Sequence, residues 1–256
     1  MLRALKHQVN VLESVATSSF SAWRGCLVVK PVPQPEKPLI LYDIEACPYC
    51  RKVREALTAL HLDAEIRPCP KGGRIYRGEA ESLGGKKQFP MLIDQNAGQV
   101  LYESDEIVEY LFTRYANISV PGYYQSKSWQ VALGAAGSAS SELRGMRAEP
   151  AKRPEQGLHL WSFEGSPFSR LVREKLCEFE LPYTLHNLGK EHWTEFGPAF
   201  QRIRPGPYKP QPGGKRDTFF QEHGRVQVPY LEDPNTGVKL FESKRILDYL
   251  EKEYAM

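Results

Sequence analysis

The sequence predicts an α/β chain built as two tandem copies of one strand–turn–helix plan. Three observations carry this. An apolar run, Leu39-Ile40-Leu41-Tyr42, leads into Cys47-Pro48-Tyr49-Cys50, and Val53, Ala56, Leu57 and Leu60 follow at helical spacings of three and four. The same order returns in Leu158-His159-Leu160-Trp161, Ser166-Pro167-Phe168-Ser169 and the helical run from Arg170, with Ser166 lying 119 positions after Cys47. Each copy then carries a proline where a strand begins, in Phe89-Pro90-Met91 and Val228-Pro229-Tyr230, followed by Glu103-Ser104 and Glu242-Ser243.

Composition narrows the function. With 256 residues and 41% hydrophobic, the chain can build one large or two small cores. Lys plus Arg number 34 against 31 Asp plus Glu, mixed along the chain without a basic stripe, which disfavours nucleic acid as a partner. No apolar run approaches the roughly 18 to 20 residues needed to cross a bilayer. Five cysteines, an odd number, do not make a secreted disulfide framework. A Cys-x-x-Cys on a strand–helix unit fits a reducing compartment and so a cytoplasmic location.

The first 38 residues form a lead-in, predicted as a helix over Val9 to Trp23 and a proline-rich arm from Pro31 to Pro38. Arg3, Lys6, several Ser and Ala and a single acid, Glu13, give it the bias of a plastid or mitochondrial presequence, which is the alternative location. Arg24-Gly25 recurs as Arg144-Gly145 ahead of the second copy, and a discarded leader has no reason to be copied in mid-chain. The lead-in is therefore expected to be mature structure.

In the first copy, the two cysteines fall on the first turn of a helix, where Pro48 suits a position whose N–H has no partner. Unpaired amides and the positive end of the helix dipole favour a thiolate at Cys47, lowering its pKa below the free value of about 8.5. Only the thiolate attacks a disulfide, and Cys50 lies one turn on, within reach to resolve. Two blander readings compete. A structural zinc needs two further ligands, but Cys26, Cys69 and Cys177 are scattered and His7 and His61 lack metal spacing, so no metal is expected. The pair could also be inert buried thiols. Asp63 to Arg67 alternates as a strand, and the loop Pro68 to Gly73 leaves the sheet on the side of Cys47. Cys69 is then either a neighbour of the pair or a plain loop residue, and Lys71 and Arg74 are either anion contacts or solvated charges. Pro90 must sit at a turn or edge. Asp94 to Gly98 is a hairpin turn between strands Met91 to Ile93 and Gln99 to Tyr102, and Ser104 caps a helix bearing Ile107, Val108, Tyr110 and Leu111.

Cys47-Pro48-Tyr49-Cys50 resembles the active-site tetrapeptide of dithiol glutaredoxins. Residues 39 to 115, with Phe89-Pro90-Met91 and Glu103-Ser104-Asp105 in order, resemble the N-terminal, glutathione-binding domain of glutathione transferases. The whole chain is similar to plastid and bacterial proteins with two such domains in tandem. The resemblance implies two thioredoxin-like domains, at 39–117 and 158–256, after the lead-in 1–38 and separated by a connector at 118–157. It implies no all-helical domain of the kind that follows the first domain in ordinary glutathione transferases. It also implies a cis bond before Pro90, a backbone contact from Phe89 to the cysteinyl part of glutathione, and a γ-glutamyl carboxylate held by Glu103, Ser104 and the free amides of the helix start. Tyr49 and Pro90 complete the implied glutathione site, and Val228, Pro229, Glu242 and Ser243 are their counterparts in the second copy.

The second copy departs from the first. Both cysteines are serine, so it cannot form the disulfide. It is either a structural or binding partner, or Ser166 acts like the serine with which several glutathione transferase classes hold the thiolate of glutathione. Cys177, beside Leu176 and Phe179, reads as core. Pro229 lies 139 positions after Pro90, twenty more than the helix offset, so an excursion is expected around Gly197 to Gly224. The expected activity is glutathione-dependent thiol–disulfide exchange, with Cys47 as nucleophile, Cys50 as resolving thiol, and a disulfide, a glutathionylated protein or a small molecule as substrate. The alternatives are transferase or peroxidase chemistry through Ser166, and a non-catalytic module binding glutathione, a protein or an iron–sulfur cluster.

Overall fold

The computed structural model describes residues 2–20, 22–125, 143–195 and 208–256. In order these form α1 (Leu2–Phe20), β1 (Leu39–Asp43), α2 (Pro48–Leu60), β2 (Ala64–Pro68), α3 (Tyr76–Gly84), β3 (Met91–Asp94), β4 (Gln99–Leu101) and α4 (Ser104–Ala116). The second copy gives β5 (Leu158–Ser162), α5 (Pro167–Glu178), β6 (Tyr183–Asn187), α6 (Lys215–His223), β7 (Tyr230–Asp233), β8 (Val238–Phe241) and α7 (Ser243–Tyr254). Strand β1 is buried at all five positions, as befits a strand covered on both faces. Helix α2 begins on Pro48 and ends where His61, in the left-handed conformation, donates to the carbonyls of Leu57 and Thr58.

All eight strands join in one sheet, ordered β4-β3-β1-β2-β6-β5-β7-β8. Within each copy the first two strands run parallel and the last two antiparallel, a thioredoxin-like plan repeated in tandem. The copies meet where β2 pairs antiparallel with β6, Glu65 opposite Thr184, placing an approximate two-fold axis between them. Helices α2, α4, α5 and α7 share one apolar core over this seam, with Leu57, Leu111, Leu176 and Leu250 fully buried in it. Helices α3 and α6 cover the other face with separate smaller cores. The repetition reaches single hydrogen bonds: Asp94 accepts from the hydroxyls of Tyr110 and Tyr115, and Asp233 from those of Tyr249 and Tyr254. Among the described residues no all-helical domain follows the first copy.

Three features differ from the sequence expectation. The lead-in helix starts earlier, at Leu2, and ends by Phe20, because Ala22 and Trp23 turn the chain with φ of 51° and 55°. Helices α3 and α6 were not expected: each buries only two residues, Tyr76 and Ala80 or Arg216 and Phe219, too little for an apolar stripe. Lys215 lies 139 positions after Tyr76, the proline offset, so the twenty extra residues fall between Asn187 and Lys215 rather than throughout Gly197 to Gly224. Residues 196–207 lie outside the described residues, as does Gly134 to Ser141, where the Gly/Ala/Ser-rich sequence suggests a loop and then a loosely packed helix.

Beneath the seam lies a buried lattice of charge. Arg54 meets Glu164 at 2.9 Å and Glu45 at 3.3 Å; Arg173 meets Glu45 and Glu164 at 3.0 Å each. Arg24 pairs with Glu55 and Arg144 with Glu174, at 3.0 and 2.9 Å. Asp43 also accepts from Arg54. Burial pushes Asp43 up to about 6 and Glu174 up to about 7, despite their arginine partners. For Glu174 burial outweighs the pull of Arg144 and Arg170, and one oxygen, Oε1, has no hydrogen-bond partner among the described residues. A carboxyl whose folded pKa is raised lends stability at low pH and loses it as pH climbs through that pKa. Urea unfolding should therefore show the Glu174 contribution fading between pH 4.5 and about 7, and Glu174→Gln should flatten this part of the stability profile. An unchanged slope in the variant would contradict the assignment.

Candidate functional site

Cys47 stands at the end of a tight turn out of β1, its amide donating to Ile44 O at 2.9 Å, and it is the N-cap of α2 with extended φ and ψ. Its side chain is half-buried; Cys50 is fully buried and accepts the Ile44 amide at 3.4 Å. Both are free thiols. The Cys50 thiol, directed at Cys47, is the largest influence holding the Cys47 pKa down to about 7, against an opposing effect of burial. The amides of Cys50 and Tyr49 and the charge of Arg54 add to it. No amide forms a short cap on the sulfur, so these donors act from longer range. Burial and the neighbouring Cys47 push Cys50 well up. The pair is thus split into a half-buried acidic thiol and a sealed thiol that holds its proton.

Of the first copy's expected residues, Phe89 packs in the same apolar cluster as the cysteine pair. The Phe89–Pro90 bond is cis. Phe89, Met146 and Cys47 each pack against a cluster that includes Cys50, Cys69, Tyr42 and Met91. Tyr49 is half exposed. Ser104 is the first, buried residue of α4 and not its cap: the N-cap is Glu103, at φ 59° and ψ 117°, a conformation costly for a residue with a side chain, and no side chain caps the helix. Lys52 of α2 is paired with Asp105 of the first turn of α4, and Gln88 donates to Glu103. Cys69 is sealed with Cys50 in the same apolar cluster, and burial pushes its thiol up. Lys71 and Arg74 are exposed; the Lys71 backbone bridges to Arg147 and the Arg74 amide donates to Glu180. Sequence reasoning missed Arg77, whose guanidinium lies 5.0 Å from the Phe89 ring centre and donates to Cys69 O, and it missed Met146. Arg77 sits on the unforeseen α3, and Met146 arrives from the connector.

The second copy has the same backbone and a different environment. The Val228–Pro229 bond is cis, and Glu242 precedes Ser243 with φ of 74°. Ser166 is 3% exposed and its Oγ accepts from the amide and hydroxyl of Ser169 at 3.3 and 2.9 Å. Helix α1 packs on α5: Ser14 donates to Pro167 O at 2.8 Å, and His7 Nε2 lies 3.3 Å from Ser243 Oγ. The lead-ins cross over. Cys26 and Leu27 dock on Lys190 of the second copy, and Met146 and Arg147 dock on Lys71 of the first. Cys26 is buried and pushed up to about 12 by burial.

Among the described residues no group of three or more His, Cys, Asp or Glu could hold a metal ion, and no helix is long and apolar enough to cross a membrane. A family model described as "Glutathione S-transferase, N-terminal domain" matches residues 41–119 and again residues 160–256. No curated protein and no solved structure matches the chain.

Exposure and acidity together predict selective labelling. Brief iodoacetamide treatment of the native protein at pH 7, read by peptide mass spectrometry, should modify Cys47 and spare Cys26, Cys50, Cys69 and Cys177. Equal modification of any of the other four would contradict the site.

Proposed function

Because the chain belongs to the glutathione S-transferase N-terminal domain family, we propose that it is a glutathione-dependent thiol–disulfide oxidoreductase in which Cys47 attacks and Cys50 resolves. The observation that supports this most is the split within one helical turn, an accessible thiol with a pKa near 7 ahead of a sealed thiol that stays protonated. The Cys47 thiolate displaces one sulfur of a substrate disulfide, releasing a thiolate and leaving a mixed disulfide on the protein. Cys50 then gives up its proton, attacks Cys47 Sγ and releases the second substrate thiol. Two glutathione molecules reduce the resulting Cys47–Cys50 disulfide and leave as glutathione disulfide.

The residues around Cys47 suit glutathione. A buried serine at the start of α4, free amides and Lys52 nearby suit its γ-glutamyl carboxylate. The backbone of Phe89 before the cis proline suits its cysteinyl part, with Tyr49 at the rim. In this reading 39–117 is the catalytic domain, 118–157 the connector and 158–256 a structural partner. The packing of α1 against α5 supports retention of the lead-in 1–38, and the chemistry suits a reducing compartment. Ser166 is the weaker candidate, since it is buried, already bonded to Ser169, and roofed by α1.

The test is reduction of a glutathione mixed disulfide by wild type, Cys47→Ser, Cys50→Ser and Ser166→Ala. Cys47→Ser should lose at least ~100-fold in rate, because a hydroxyl cannot replace the thiolate. Cys50→Ser should keep turnover with glutathione while losing reduction of protein disulfides, and Ser166→Ala should match wild type. Equal rates for wild type and Cys47→Ser would end the proposal.

A further inference from the structure

The turn that delivers Cys47 is held from both copies of the repeat. Glu45, two positions before Cys47, is 3% exposed and pinned at four points. Its amide donates to Cys177 Sγ at 3.4 Å. Its carboxylate accepts from Arg173 Nε at 3.1 and 3.2 Å. Its carbonyl accepts from Arg54 Nη2 at 2.9 Å. Gly145, at φ +76°, presses so close that a Cβ there would fall 2.9 Å from Glu45 Cβ. Three of these four holds come from the connector or the second copy.

The pseudo-two-fold axis supplies an internal control. Glu164 is pinned in the same way: its amide donates to Thr58 Oγ1 at 3.2 Å, its carboxylate accepts from Arg54 Nε at 2.9 Å, and its carbonyl accepts from Arg173 Nη2 at 3.1 Å. Gly25, at φ +72°, would place a Cβ 2.7 Å from Glu164 Cβ. The hold that differs in kind is the amide acceptor, a thiol for Glu45 and a hydroxyl for Glu164. Cys177 also donates to Gly145 O at 3.2 Å, so its sulfur ties the turn to the incoming connector.

We propose that Cys177 and Arg173 are positioning residues for the redox site, locking Glu45 and with it the turn that carries both Cys47 and the Ile44 amide bonded to Cys50. The thiol of Cys177 works as a hydrogen-bond acceptor and donor inside the fold and not as a reagent, which its complete enclosure by protein already requires. A buried amide left without an acceptor rearranges or pays a desolvation penalty, and the segment from Ile44 to Cys47 is short enough for that movement to reach the sulfur. The inference rests on the oxidoreductase reading of Cys47, but it can be tested apart from it.

The experiment compares full-length wild type, Cys177→Ala and Cys177→Thr by the pH dependence of Cys47 alkylation and by the rate of mixed-disulfide reduction. Cys177→Ala should raise the alkylation midpoint by about half to one unit and slow reduction several-fold, as Cys47 loses its donors. Cys177→Thr, which installs the acceptor that Thr58 provides across the axis, should restore both to wild-type values. A folded alanine variant with the wild-type midpoint would overturn the proposal, as would a threonine variant whose midpoint rises. Should the alanine variant not fold, the threonine variant decides. A wild-type midpoint at the value of free cysteine would instead sink the oxidoreductase reading, since the proposal about Cys177 concerns only the difference between variants.

Discussion

Arg54 and Arg173 each sit within reach of the two glutamates Glu45 and Glu164, so each copy of the repeat donates a guanidinium to the other copy's turn. None of the four side chains is more than 2% exposed. An isolated charge in such a place is very costly, and the cost is relieved only when partners and hydrogen bonds are complete. Buried ion pairs of this kind are poor sources of net stability, because dehydrating the charges consumes most of the attraction. What the lattice contributes here is mutual dependence. Neither half can satisfy its own charges alone, and the pairing of β2 with β6 brings the other half into register.

The same scaffold carries two sites with different fates. In the first copy the helix start bears an acidic, accessible thiol. In the second, serine replaces both cysteines, and α1 places Ser14 on the Pro167 carbonyl and His7 beside Ser243. The face that α1 turns toward α5 is small and polar, with Ser14, Thr17 and Ser18 fully buried, while Leu5, Val9 and Leu12 face outward. Close approach of α1 to the serine turn follows from those short side chains. The second copy reaches into the first: its helix α5 brings Arg173 and Cys177 to Glu45, and the connector brings Gly145 to Glu45 and Met146 to the first copy's smaller core.

Much of this was legible in the sequence. The strand–helix–strand plan, both proline turns and both Glu-Ser helix starts follow from local patterns repeated in the same order, at an offset of 119 for the first helix and 139 from the proline onward, and each is present in the fold. The lattice was not legible. Arg51, Lys52, Arg54 and Glu55 lie between the apolar positions of α2, yet all are buried: Glu164 of the second copy meets Arg51 and Arg54, Arg24 of the lead-in meets Glu55, and Asp105 of α4 meets Lys52. Nor did the sequence indicate that each lead-in crosses to the opposite copy, since the proline-rich arms fix only that the chain is extended, not where it goes. Helix α3, and with it Arg77, escaped because a helix that buries two side chains leaves almost no periodic trace.

The claim on which the rest depends is that charges of one copy are energetically coupled to the turn of the other. A double-mutant cycle on Arg173→Met and Glu45→Gln, read by urea unfolding of the full chain, measures that coupling directly. Contacting buried charges should give an interaction energy above about 1 kcal/mol, with the double variant more stable than the sum of the single losses implies. Single effects that add to within about 0.5 kcal/mol would contradict the account.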